Sequence, residues 1–150
     1  MPCYTPLWKH IKPLKSHHQL SDQEFETQFS RGDFPPSLFT HEAHLRLAWI
    51  YLKKYQLLDA CDKVCADISN FDGIHGNGTK FNKTLTVASV KVVHHFMLKT
   101  KSPDFKHFLV THPRLEVAFK ELLEQHYSYK VFSNKMAKTT YIEPDLLPFD

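Results

Sequence analysis

Cysteine, glycine and long apolar runs are all scarce in this chain, and each scarcity removes a class of protein. Three cysteines in 150 residues are too few for the disulfide framework of a small secreted domain. Cys61 and Cys65 stand four apart on an expected helix, a spacing that aligns two thiols poorly for a bridge, so both read as buried free thiols. Cys3 stands alone. No stretch approaches the ~18 apolar residues needed to span a bilayer, and residues 1–20 mix prolines, histidines and lysines with no signal-peptide apolar run. A cytoplasmic protein with no membrane partner is therefore expected, in which Asn77-Gly78-Thr79 and Asn82-Lys83-Thr84 would never meet the glycosylation machinery. Three of the four glycines fall between Gly73 and Gly78, and that segment lacks the Gly-Lys-Ser/Thr ending of a phosphate-binding loop. No nucleotide-cofactor signature is present. Charge of one sign is also missing: 19 basic against 16 acidic residues leave +3, and the lysines are scattered, so no nucleic-acid partner is expected.

What is present is helical periodicity with almost no strand alternation. A hydrophobic content of 42% with 23% charged residues is globular composition, enough at this length for one core. Residues 1–20 read as an irregular arm, because Pro2, Pro6 and Pro13 block long regular structure. Ser21-Asp22-Gln23-Glu24 is a capping-box pattern that starts a short helix running to about Ser30. Thr40 caps a second helix to about Tyr55. Leu57, Cys61, Val64, Ile68 and Phe71 recur at three- and four-residue steps and predict a third, ending at Phe71. Residues 72–78 are expected to be loop. A long helix follows from Phe81 to about Thr100, a short one after Ser102-Pro103, and another from His112-Pro113 to about Tyr127. The tail, residues 128–150, carries a short helix near Ser133 to Lys138 and ends in an extended aromatic stretch that packs on the bundle. The fold expected is an all-α, single-domain bundle of about five or six helices.

Thr40-His41-Glu42-Ala43-His44-Leu45-Arg46 is the segment that nominates a site. At roughly 100° per residue, His41, His44, Leu45, Ala48, Tyr51 and Leu52 share one broad face, and Arg46, Lys53 and Glu42 fall on another. The histidines are thus expected on the face that packs. On the long helix after the glycine segment, Asn82, Thr86 and Ser89 sit on or beside the apolar stripe, whereas His94 and His95 fall on the opposite flank. Short connections make consecutive helices antiparallel neighbours, so the starts of the His41 and Asn82 helices meet at one end of the bundle, and the glycine loop is expected at the other end or the side. Two helix N-termini there aim N–H groups and partial positive charge at a polar pocket. Such a field suits a small polar or anionic molecule, held by His41, His44, Asn82 and Thr86 with Arg46 as a charge partner. The dipole would also lower a histidine pKa and favour neutral imidazole as an acid–base group.

Phe39-Thr40-His41-Glu42-Ala43-His44-Leu45-Arg46-Leu47-Ala48-Trp49, Lys80 to Thr86, and Glu143-Pro144-Asp145-Leu146-Leu147-Pro148 together resemble a functionally uncharacterised family of small bacterial all-helical proteins. The resemblance spans about Phe39 to Phe149 and implies a single helical domain and the same nominated site. Where much of that family reads Tyr-His-Glu-Thr-Leu-Thr, this chain has Phe81-Asn82-Lys83-Thr84-Leu85-Thr86, so Asn82 stands where a third histidine would complete a facial metal site. Asparagine is a weak ligand for zinc or iron. His41 and His44 remain the metal candidates for a divalent ion, since residues three apart on a helix are neighbours, while Glu121, Glu124 and His126 have no ligand spacing to recommend them. His-Glu-Ala-His is one residue short of the zincin pattern, which excludes a metalloprotease of that kind. The alternatives to a small-molecule pocket are therefore a metal-dependent enzyme using His41 and His44, and a non-catalytic interaction module using the abundant aromatics, with Phe132, Tyr141 and Phe149 as the exposed candidates.

Overall fold

The computed structural model describes residues 13–149; the first part of the expected arm, residues 1–12 with Cys3, and Asp150 lie outside the described residues. Those described are all-α, with eight α-helices and no strand: α1 (Asp22–Arg31), α2 (His41–Lys54), α3 (Leu57–His75), α4 (Lys83–Lys99), α5 (Phe105–Thr111), α6 (Arg114–Val117), α7 (Phe119–Glu124) and α8 (Tyr129–Phe132). None is long and apolar enough to cross a membrane.

Local chemistry starts four of these eight helices. Ser21 Oγ accepts the Glu24 N–H and the Glu24 carboxylate returns to the Ser21 N–H, a complete capping box. Thr40 caps α2 through the Ala43 N–H at 3.2 Å, Asn82 caps α4 through the Leu85 N–H at 2.9 Å, and Asp104 caps α5 through the His107 N–H at 2.8 Å. The three long helices α2, α3 and α4 pack on one another, with α1 against α2 and α3, and α7 against α4. Phe25, Phe29, Phe34, Trp49, Phe108 and Tyr127 are fully buried among them. The aromatic abundance is thus largely spent in the core. Phe132, Tyr141 and Phe149 are half-buried against it.

Three segments depart from expectation, each for a tertiary reason. Helix α3 continues past Phe71 through Gly73 to His75. The His75 ring packs 4.5 Å from Phe71, and its Nε2–H donates to the Gly32 carbonyl at 2.6 Å; these contacts offset the propensity cost of a helical glycine. The remaining loop lies beside the start of α4, hence at the same end as the start of α2, because α3 returns the chain there. The helix expected from His112 to Tyr127 is broken at Ala118 (φ −137°, ψ 29°) into α6 and α7. The break coincides with a long-range bond: His41 Nε2 lies 2.8 Å from the Leu115 carbonyl, the acceptor a continuous helix would offer to Phe119.

Arg46 is the largest correction. It is 6% exposed and sits inside the fold, not off the packed side. Its Nη1 donates to the His17 carbonyl at 2.6 Å, its Nη2 to the Leu20 carbonyl at 2.8 Å, and Nη2 and Nε both donate to Asp22 Oδ1 at 2.9 and 3.2 Å. The guanidinium also lies 5.2 Å from the centre of the Phe25 ring. One side chain thereby fastens the described part of the arm, including its short 3₁₀ turn His17–Gln19, and the start of α1 onto α2. The tail is fastened as firmly. Thr84, fully buried, donates to the Thr140 carbonyl at 2.9 Å and accepts the Ile142 N–H at 3.1 Å; Tyr127 Oη donates to the Ile142 carbonyl at 2.8 Å.

Truncating Arg46 leaves the Leu20 carbonyl without a partner, takes one of two donors from the His17 carbonyl, and breaks the ion pair with the half-exposed Asp22, so Arg46→Ala is expected to lower unfolding free energy by about 3 kcal/mol. Arg46→Lys should recover little of it, since an ammonium lacks the planar fork. Chemical denaturation of the three proteins measures both effects.

Candidate functional site

The starts of α2 and α4 converge on one open groove of about 750 Å³. His41, His44, Asn82, Thr86 and Ser89 all line it. Its floor is apolar, built from Leu45, Ala48, Val64, Ile68, Val90 and Val93. The wall opposite α2 comes from α6 and α7, with Phe119 and Leu123 inward and Glu116, Lys120 and Glu121 at the rim; Lys80 and Phe81 close the end. Arg46 is not among the lining residues: all of its polar contacts run to the arm and α1. Glu124 and His126 lie outside this groove as well, and His126 instead lines a second cavity of about 570 Å³ under the tail with the half-buried His94 and His95.

Both histidines keep an exposed edge, so they line an opening instead of packing into the core as the face assignment predicted. The helix turn alone could not show this, because what faces them is a groove formed by the break between α6 and α7. Each ring is nevertheless held. His41 Nε2–H donates to the Leu115 carbonyl, and the ring sits 4.9 Å from that of Phe119. His44 Nδ1–H donates to the Thr40 carbonyl at 2.7 Å, and its ring stacks on Phe39 with centroids 3.5 Å apart. A carbonyl only accepts, so each bond assigns a proton: His41 carries it on Nε2, and His44 on Nδ1. Burial against Phe39 and the groove wall is the chief cause that holds the His44 pKa below the ordinary imidazole value, with His41 acting the same way and the Thr40 carbonyl opposing. Desolvation thus favours the neutral imidazole.

The polar groups on α4 are also committed. Asn82 Oδ1 is occupied by its cap, Thr86 Oγ1–H donates to the Asn82 carbonyl at 2.8 Å, and Ser89 Oγ–H donates to the Leu85 carbonyl at 2.7 Å. Cys61 and Cys65 are free and buried, and burial pushes both thiols up to about 11, which removes them as nucleophiles.

Three metal-competent side chains meet elsewhere: among the described residues, His17, His18 and Glu42 form the one such cluster. His17 Nε2 lies 3.2 Å from Glu42 Oε1, and His18 Nε2 contacts the same oxygen. Arg46 Nη1, which can only donate, approaches His17 Nδ1 at 3.2 Å. That nitrogen therefore accepts, and the ring proton sits on Nε2, the atom a metal would need deprotonated. The cluster is a proton-bearing clasp that holds the arm to α2. Burial above all, aided by His18 and Arg46, pulls the His17 pKa down to about 4.

No family model, curated protein or solved structure matches the chain, so the site is read from its own geometry. Sequence reasoning missed the α6–α7 wall, since Leu115 and Phe119 carry no signal of their own: a backbone carbonyl is the partner, and every residue has one.

Two outcomes are expected. Long-range proton–nitrogen spectra near neutral pH should show His41 as the Nε2–H tautomer and His44 as the rarer Nδ1–H tautomer. Because the unfolded chain protonates His17 near pH 6.5 and the folded chain only near 4, stability should fall as pH drops through that window. Denaturation midpoints at pH 7 and pH 4.5 measure it, and His17→Gln should shrink the difference.

Proposed function

We propose that this protein binds, and in doing so is able to turn over, a small polar molecule with an apolar body, held in the groove between the starts of α2 and α4. The single observation that carries the reading is the cavity itself: about 750 Å³, the size of a metabolite site, with apolar walls and a few polar side chains gathered at one end. Apolar walls favour a ligand that buries hydrocarbon, and His41, His44, Asn82 and Thr86 orient its polar part. At the rim, the positive charges of Lys80 and Lys120 are offset by the carboxylates of Glu116 and Glu121. His44, neutral at physiological pH with Nε2 carrying the lone pair, is the group suited to take a proton. The same reading includes a cytoplasmic, bacterial protein, kin to the family its three motifs resemble, working without nucleic acid or membrane.

The second reading is a divalent metal held by His41 and His44. Both rings donate their remote N–H to a backbone carbonyl, which is the way metal-bound histidines are usually oriented, and Asn82 in place of a third histidine is what weighs against it. An interaction module has less support, because Phe132, Tyr141 and Phe149 are packed against the core.

The His41→Ala/His44→Ala variant loses two partly exposed hydrogen bonds, at about 1 kcal/mol each, so it should stay folded by circular dichroism. Small-molecule binding should be lost in it. Elemental analysis of untagged protein purified without chelator separates the readings: near-stoichiometric metal in the parent and none in the variant identifies the metal site, and a collapsed fold in the variant would show that the histidines are structural.

A further inference from the structure

The groove's hydrogen-bonding capacity is lopsided. Four of its side chains have already spent their protons on backbone carbonyls: His41 on Leu115, His44 on Thr40, Thr86 on Asn82 and Ser89 on Leu85. What each has left for a ligand is a lone pair, on His41 Nδ1, His44 Nε2, Thr86 Oγ1 and Ser89 Oγ. Asn82 is the exception, because its carbonyl oxygen is taken by the Leu85 N–H and its amide N–H₂ is free to donate. Among the neutral side chains, four acceptors therefore stand against one donor. The rim adds no net charge to tip the balance, since Lys80 and Lys120 are matched by Glu116 and Glu121.

We propose that the groove selects a molecule whose polar head donates hydrogen bonds, an ammonium or hydroxyl group on an apolar body, and discriminates against carboxylates. The inference rests on the groove being a binding site. A carboxylate only accepts, so it would set its oxygens against four lone pairs and leave them unsatisfied beside apolar walls, which costs more than a merely absent bond. An ammonium brings three donors to this set of lone pairs. A hydroxyl brings one and matches the free Asn82 amide with its own lone pair. Protonating the two imidazoles would reverse the preference, but the apolar setting of His44 works against that at neutral pH.

Benzylamine, benzyl alcohol and benzoate share one apolar ring and differ only in the head, so they isolate the effect. Titrated at pH 7.5 while the ring resonances of His41 and His44 are followed, benzylamine or benzyl alcohol should bind at least about tenfold more tightly than benzoate, the equivalent of 1.4 kcal/mol. The stronger of the two identifies the head. Thr86→Val/Ser89→Ala keeps the shape of the wall and removes two acceptors; it should erase most of that preference while leaving the fold intact. Benzoate binding equally or more tightly overturns the donor-head inference and leaves the binding site standing. If none of the three moves either histidine, the groove does not take molecules of this size, and the binding reading falls with the inference.

Discussion

A buried arginine sets the terms of this fold. Helix α2 is covered on nearly every side, from Ala43 and Leu45 through Tyr51, and Arg46 lies in the middle of that run. A guanidinium cannot lose its charge in a protein, so burying it is tolerable only when surrounding chain supplies acceptors in the right places. The arm supplies two carbonyls, and the start of α1 supplies a carboxylate. In meeting that demand the arm is drawn across the end of α2, where His17 and His18 then close on Glu42. The arm's position follows from an electrostatic requirement more than from its own weak helical tendency.

The same logic, with backbone carbonyls answering side-chain donors, shapes the groove. The Leu115 carbonyl answers His41 and the helix that would have used it stops at Ala118. The groove lies between α2, α4 and the α6–α7 segment. The Thr40 carbonyl answers His44. The hydroxyls of Thr86 and Ser89 turn back to their own helix. Each of these bonds is modest by itself, on the order of 1 kcal/mol, yet together they decide which side-chain atoms remain unpaired in the groove. The polar end of an otherwise apolar groove thus presents side-chain lone pairs more than side-chain donors.

The apolar floor matters to that chemistry. Partial desolvation of His44 against Phe39 shifts its imidazole toward the neutral form. In the binding we propose, a ligand would be held mainly by hydrocarbon burial, with the polar atoms choosing among candidates of similar shape, so that affinity and selectivity would be carried by different parts of the same groove.

The sequence by itself determined the elements that depend on near neighbours. The capping box at Ser21, the caps at Thr40 and Asn82, and the helical periodicity of α2, α3 and α4 are contacts within one turn of chain, and so was the all-α class. Short connections between those helices were enough to bring His41, His44, Asn82, Thr86 and Ser89 to one end. Tertiary structure alone decided where Arg46 went, why α3 runs on through Gly73, where the last helix breaks, and that the histidines face an opening. It also decided their tautomers. The physical reason is common to nearly all of these: apart from the His44 tautomer, which the Thr40 carbonyl four residues back sets, each is settled by a partner far away in the chain, and the partner is most often a carbonyl group, which every residue carries and no pattern of side chains can announce.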